Sequence, residues 1–336
     1  MLRIVGDINF SDGFFDTGFG VGSSIRKGRD PFAKLKRNTN DYWIGNFECV
    51  CSNTSNKQGT SSRQFIITPK DISHIKHFNL YNVANNHVMQ HGEIAYNEML
   101  SYLEIKGVNY VGSENKKKHI FEHQEKKIGI IAFSQRPDNF SQNPLYWSMP
   151  EYSDVKKELE DLSLCDYKIV YVHWGNEFIN YPYIDQKNFA RYMIDCGADL
   201  IVGMHPHILQ GFEVYKGKHI FYSIGNFVFN MPWEPTKYSI ILNVDLAEEV
   251  KISYNYIKIE KDYFPNYVQS IPAEFQFESL NKLLSINEEN EKYYSKVFNK
   301  TKEYRKSNYK NIISNLYKLK IKDMNSIVFD FIKRRL

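Results

Sequence analysis

The chain has 336 residues, of which 42% are apolar and 24% charged, with a formal net charge of +4. That length buries a full core, as one large domain or a domain with an appendage. The composition is globular, the charge is too small to argue for a nucleic-acid partner, and no apolar run reaches the roughly eighteen residues of a membrane-spanning helix.

Short apolar, β-branched or aromatic runs alternate with amphipathic stretches along the first two thirds of the chain. Strands are predicted at Leu2–Asp7, Asp41–Glu48, Asn79–Asn86, Lys127–Phe133, Tyr167–Gly175, Ala198–Met204 and His219–Phe227. Helical patterns lie between them at 30–38, 68–78, 92–107, 153–163 and 185–197. Several carry start or stop signals, such as Ser153 before one run and Gly107 and Gly197 after two others. The alternation argues α/β. Tyr238–Ile259 differs, because it alternates with period two and has no helix inside it, which predicts an antiparallel hairpin.

After Pro272 the pattern turns helical with no further Gly or Pro, so a boundary is placed near residue 270. Residues 1–270 form the main domain and 271–336 a basic helical segment. That segment holds fourteen Lys or Arg against eight Asp or Glu, which leaves the rest slightly acidic. Near its end Ile327, Val328, Phe331 and Ile332 form an apolar stripe followed by Lys333, Arg334 and Arg335. The stripe packs on the main domain with the basic end capping a helix dipole, or the helices make peripheral contact with a membrane face. Cys49, Cys51, Cys165 and Cys196 contain no C-x-x-C pair and read as free thiols of a reducing compartment. The opening "MLRIVGD" has no charged region leading into an apolar one, so a cytoplasmic protein is expected.

In α/β folds ligands gather at the C-terminal ends of strands. Five of the predicted strand ends carry polar residues: Asp7 and Asn9, then Asn46 and Glu48, then Asn85, Asn86 and His87, then His173, then His205 and His207. Each alone has a plainer explanation: Asp7 as a turn or capping residue, Glu48 as a strand tip, His173 as a satisfied core histidine. Five such coincidences at one edge weigh against that explanation. Imidazole, carboxylate and amide oxygen make a mixed N/O donor set of borderline hardness, suited to Mn, Zn, Fe or Ni. The donors are too many for one tetrahedral ion, so a two-metal cluster with a bridging carboxylate is the economical reading.

The stretches "GDINF", "GNFE", "ANNHVMQHG", "VHWGNEF" and "GMHPHILQGFEVYKGKHIFYSIGNFVF" resemble the ordered motifs of the CapA family, the poly-γ-glutamate or capsule synthesis proteins. That family is a branch of the calcineurin-like metallophosphoesterases, and the similarity spans about residues 1–260. The resemblance implies a four-layer α/β/β/α sandwich and two divalent metal ions. It makes Asp7 a ligand of the first ion, Glu48 the bridging carboxylate, and Asn86, His173 and His205 ligands of the second. His207 would return to the first ion, and His87 would serve the leaving group. Asn9 stands where the wider superfamily has a histidine ligand, and Gln90 where the family has an Asp beside the Asn-His pair. Glu177 and Glu213 are read as groups facing substrate or supporting the ligands, Asn226 as tying down backbone beside the site, and Trp174 as a substrate wall or a core residue.

The function this implies is a metal-dependent phosphoesterase acting on a phosphorylated or polymer-derived small substrate in capsule or exopolysaccharide assembly. Hydrolysis or transfer of a γ-glutamyl amide is one alternative. A non-catalytic accessory role beside other assembly proteins, favoured by Asn9 and Gln90, is another.

Overall fold

The computed structural model describes residues 1–287, 290–319, 321, 324 and 325. In chain order its strands are β1 (Leu2–Ile8), β2 (Tyr42–Phe47), β3 (Val50–Cys51), β4 (Ile66–Ile67), β5 (Leu80–Asn82), β6 (Asn109–Val111), β7 (Lys118–His123) and β8 (Lys126–Ser134). They continue as β9 (Tyr167–His173), β10 (Leu200–Met204), β11 (Phe212–Tyr215), β12 (Lys218–Phe221), β13 (Asn226–Val228), β14 (Tyr238–Asp245), β15 (Lys251–Ile259) and β16 (Pro265–Tyr267). The helices are α1 (Val21–Arg26), α2 (Glu93–Ile105), α3 (Tyr152–Glu160), α4 (Ile184–Asp195), α5 (Phe277–Leu280) and α6 (Asn290–Asn315).

One sheet runs β16-β15-β14-β1-β2-β5-β6, with β13 also paired to β1, and a second runs β11-β12-β10-β9-β8-β7. Strands β1, β2, β5 and β6 are mutually parallel, as are β8, β9, β10 and β12. The central strands read as continuous apolar runs because both of their faces are covered. Successive residues of β9 show this directly. Ile169 and Tyr171 enter the layer between the sheets with Leu2, Ile4, Ile44 and Leu242. Val170 and Val172 instead face α3 and α4, meeting Val155, Leu159, Phe189 and Met193. The outer face of the first sheet packs Trp43, Phe47 and Tyr81 against Val21 of α1 and Tyr96, Met99 and Leu103 of α2. The result is the expected four-layer α/β/β/α sandwich. Past residue 270 the chain stays against it: Ile271, Phe277 and Leu280 are buried in the layer between the sheets.

The expected helices at 92–107, 153–163 and 185–197 form, as does the hairpin of β14 and β15. Residues 30–38 do not form a helix. There the Asp30 carboxylate accepts a hydrogen bond from the Phe32 N–H at 2.8 Å, and Phe32 and Leu35 are buried as parts of a turn. Residues 68–78 hold only one helical turn, His74–His77, because Thr68 and Asp71 close a local turn through side chain and backbone. His219–Phe227, read as one strand, is two: β12 ends in the second sheet and β13 begins in the first. Gly225, at φ +74°, carries the chain across. All four cysteines are free, and burial pushes the Cys49 thiol up to about 12. No helix among the described residues is long and apolar enough to cross a membrane. Ile327, Val328, Phe331, Ile332 and the basic run after them lie outside the described residues.

The crossing at Gly225 brings two backbones into contact. The Asp7 N–H donates to the Gly225 carbonyl at 3.2 Å, and a Cβ on Gly6 would sit 1.7 Å from that same oxygen. Gly6→Ala is therefore expected to lower the unfolding free energy by about 2–3 kcal/mol or more, read as a drop in the urea midpoint at unchanged slope.

Candidate metal centre

The parallel strands of both sheets end at one edge, and the sequence-predicted cluster sits there. Asp7 is in the last turn of pleat of β1, Glu48 follows β2, and Asn85, Asn86 and His87 lie in the turn after β5. The second sheet adds His173 at the end of β9 and His205 and His207 just beyond β10. His205 and His207 have positive φ, +93° and +58°, so the chain turns sharply around Pro206 and presents both rings to one place. Asp7, Glu48, His173, His205 and His207 are all at most 1% exposed.

Each group has a defined support. Asn46 Nδ2 donates to Asp7 Oδ1 at 2.8 Å and lies 3.3 Å from His173 Nδ1, while its own Oδ1 accepts from Asn82 and Asn85. The His205 backbone N–H donates to Asp7 Oδ2 at 3.2 Å. His207 Nδ1 is 2.9 Å from Asn226 Oδ1 and 3.3 Å from Asp7 Oδ2, which puts the proton on Nδ1 and leaves Nε2 as the lone pair, 3.7 Å from Glu48 Oε1. His173 Nε2 is 2.8 Å from Asn86 Oδ1, and the rings of His173 and His205 lie 4.5 Å apart.

The electrostatics ask for a cation. Burial works to raise the Asp7 carboxyl, but hydrogen bonding to His207 and the charges of His207 and His173 leave it below its ordinary value. His207 is raised: burial opposes its charge, and the bond and charge of Asp7 prevail. Glu48 is pushed well above the carboxylate range by burial and then by Asp7. Burial also drives His173 down to about 3 and His205 well below the usual imidazole range. Glu48 Oε1 and both ring nitrogens of His205 are buried without a hydrogen-bond partner. Buried polar atoms without partners are costly unless something supplies the missing contact. Divalent metal ions fit: in the groups Asp7–Glu48–His173 and Glu48–His205–His207 the ligand atoms lie within 4.8 Å of one another. Glu48 is common to both groups, as a bridging ligand must be. A third such group, Asp30–His74–His77, lies apart on the outer helical layer, where Arg37 bonds the His77 carbonyl and where burial, and after it the Arg37 charge, lowers the His77 ring.

Asn9 is not brought to the cluster as a ligand. Its Oδ1 accepts from the Ser11 N–H and hydroxyl, and its Nδ2 donates to Asn230 Oδ1 at 3.2 Å. Trp174 is no substrate wall, since its indole donates to the Tyr222 carbonyl at 2.8 Å inside the layer of α3 and α4. Glu213 sits away from the site on the edge strand β11, clamped by both arms of Arg191 and by the Tyr222 hydroxyl. Asn226 holds His207 at both its ring and its carbonyl. Gln90 fills the position of the expected acid: its Oε1 is 2.9 Å from His87 Nδ1. The His87 ring also stacks on Phe65 at 3.9 Å, with Nε2 4.0 Å from Glu48 Oε1.

A cavity of about 190 Å³ opens over the cluster. His87, His207 and Glu177 line its floor, Phe65 and Phe229 its walls, and Thr301, Tyr304 and Arg305 of α6 its roof. Sequence reasoning missed Asn46 as the support of Asp7, although "GNFE" places it on the same strand end. It missed the α6 residues altogether, for they belong to no motif.

The family model for the bacterial capsule synthesis protein PGA_cap matches residues 1–231. The capsule biosynthesis protein CapA of Bacillus anthracis is 33% identical over 231 residues, which cover 62% of this chain and 55% of that protein. The PGA biosynthesis protein CapA of Bacillus subtilis is 33% identical over 228 residues, covering 62% and 58%. The chain thus spans little more than half the length of these relatives. Among solved structures, a phosphatase of Mycoplasma pneumoniae aligns with 15% identity over 76% of this chain and 85% of its own, at a TM-score of 0.44.

If the cluster is a shared two-ion site, Glu48→Ala purifies with neither ion, and His205→Ala loses about one. Asn226→Ala keeps the ligands but weakens affinity roughly 10- to 100-fold. Metal analysis of untagged protein, with far-UV circular dichroism to confirm folding, checks all three; full metal content in Glu48→Ala rules the shared site out.

Proposed function

The chain belongs to the PGA_cap family of bacterial capsule synthesis proteins, and from that premise we propose that it is a metal-dependent hydrolase of phosphate esters working in capsule assembly. The observation that carries this is the buried cluster itself, in which two carboxylates and three imidazoles converge and Glu48 is shared between two ligand groups. Asp7, Glu48, Asn86, His173, His205 and His207 would hold two divalent transition-metal ions. Bound there, such ions supply charge neutralisation for phosphoryl oxygens and an acidified water.

The chain's own residues do the rest. His87 is anchored through Nδ1 by Gln90 and through its ring face by Phe65, so Nε2 is held 4.0 Å from Glu48 Oε1 at the edge of the cavity. From that position Nε2 passes a proton to the leaving-group oxygen. Burial, opposed by the Gln90 bond, lowers the His87 ring to about 4 before any ion or substrate charge is added. Gln90 orients without adding charge, which leaves the anionic substrate to raise the ring as it binds. Phe65 and Phe229 narrow the cavity and displace water from the floor.

A second reading, hydrolysis or transfer of an amide such as a γ-glutamyl bond, is favoured by Glu177. This carboxylate lines the same small cavity, and its charge acts on both Glu48 and His207. A neutral amide meets less repulsion there than a phosphate dianion does. Product analysis on a phosphoester and a γ-glutamyl peptide side by side separates the two readings.

Chelation followed by reloading with Mn, Zn, Fe or Ni is expected to abolish and then restore hydrolysis of a generic phosphoester. His87→Ala should cut kcat roughly 10²- to 10⁴-fold at unchanged metal content. Undiminished turnover after both treatments would sink the phosphoesterase reading.

A further inference from the structure

We propose that α6 builds an anion subsite over the metal cavity, in which Arg305 reads a second acidic group on a small phosphate ester; this rests on the phosphoesterase reading above. The family match ends at residue 231 and α6 begins at Asn290, so the helix is an addition to the matched region. It is laid along the site by one stripe of side chains. Tyr293, Val297, Thr301, Tyr304, Asn308 and Ile312 recur at three- and four-residue spacing, which places them on one helical face.

That stripe is fastened on both sides of the cavity. At the N-terminal end Tyr293 packs on Tyr181 and Tyr183, and Asn176 Nδ2 donates to its hydroxyl at 3.3 Å; all three partners follow β9 and its ligand His173. In the middle Tyr304 lies against Phe178 at 4.5 Å and edge-on to Phe15. Toward the C-terminal end Asn311 Nδ2 donates to the Tyr263 hydroxyl at 3.1 Å. Thr301, Tyr304 and Arg305, one turn of this helix, therefore roof the space above His87 and His207.

The charges give the roof its chemistry. Glu177 is the carboxylate that lines the cavity among the described residues, and Asp7 and Glu48 are buried beneath it, within 4.0 Å of the lining residues His207 and His87. Arg305 is the one Lys or Arg among the described residues that line the cavity, and no described carboxylate pairs with it. The cavity, at about 190 Å³, is smaller than the roughly 300 Å³ at which pockets for drug-sized ligands begin. A substrate seated on the metal floor thus reaches the roof within its own small length. An anion on its leaving group meets a guanidinium whose planar fork matches carboxylate or phosphate. The substrate class is a compact phosphate monoester bearing a second carboxylate or phosphate.

The test compares 2-phosphoglycerate with glycerol 2-phosphate, which differ only in a carboxylate replacing a hydroxymethyl group. Metal-loaded wild type is expected to bind the first more tightly by calorimetry and to turn it over with the lower KM. Arg305→Ala should shrink that preference roughly tenfold, and Arg305→Lys should restore part of it. Lys306→Ala, on the exposed face of the same helix, should leave the preference intact. If Arg305→Ala keeps the full preference, or if wild type shows none in binding, the subsite is overturned. If wild type binds both esters with the expected preference but hydrolyses neither, the subsite stands and the phosphoesterase reading falls.

Discussion

Two carboxylates buried side by side dominate the energetics of this molecule. Taking Asp7 and Glu48 out of water costs several kcal/mol for each ion unless matching charge and hydrogen bonds are supplied. The surroundings of the strand ends are organised around that demand. Asn46 and the His205 backbone N–H direct their donors at Asp7, and His207 is held by Asn226 in the tautomer whose Nδ1–H lies 3.3 Å from the Asp7 carboxylate. Glu48 is left with one oxygen unsatisfied, beside a His205 whose ring has no partner at all. The protein thus carries a deficit of positive charge at one point, and a cation held there would stabilise the fold itself.

That arrangement needs both sheets to be held in register. Asp7 pairs across to Asn46 in β2 and to Asn226 in β13, and Met204 pairs with His173 between β10 and β9. The passage of the chain from β12 to β13 is the stitch between the layers. It forces the contact of Gly6 with the Gly225 carbonyl, and it delivers Asn226 from one sheet to a histidine supplied by the other. The candidate ligands come from distant segments, yet each lies at or just beyond the end of a central strand.

Much of this was legible in the sequence. Apolar runs located the central strands because burial on both faces leaves them no polar positions. Ordered Asp, Glu, Asn and His residues at their ends located the cluster because parallel strands must finish at a common edge. What failed did so for identifiable reasons. Residues 30–38 have a helical pattern, but a side-chain cap at Asp30 and the burial of Phe32 and Leu35 won over it. Asn9 looked like a substituted ligand, yet Ser11 is close enough to take its amide oxygen first. Glu213 and Trp174 sat in motif-like stretches, and only the three-dimensional path shows that their partners are Arg191 and Tyr222. Nothing in the pattern of α6 could reveal that its buried stripe rests on the turn after β9 rather than on a core of its own.

The roof over the cavity also has a place in time. Every candidate ligand lies between Asp7 and His207, whereas the helix that covers them starts at Asn290. During synthesis the chain emerges from its N-terminus, and domains fold largely in that order. The cluster is therefore complete on the growing polypeptide while the helix is still unmade. An ion that the cluster takes up during translation would meet an open cup, which acquires its cover only afterwards.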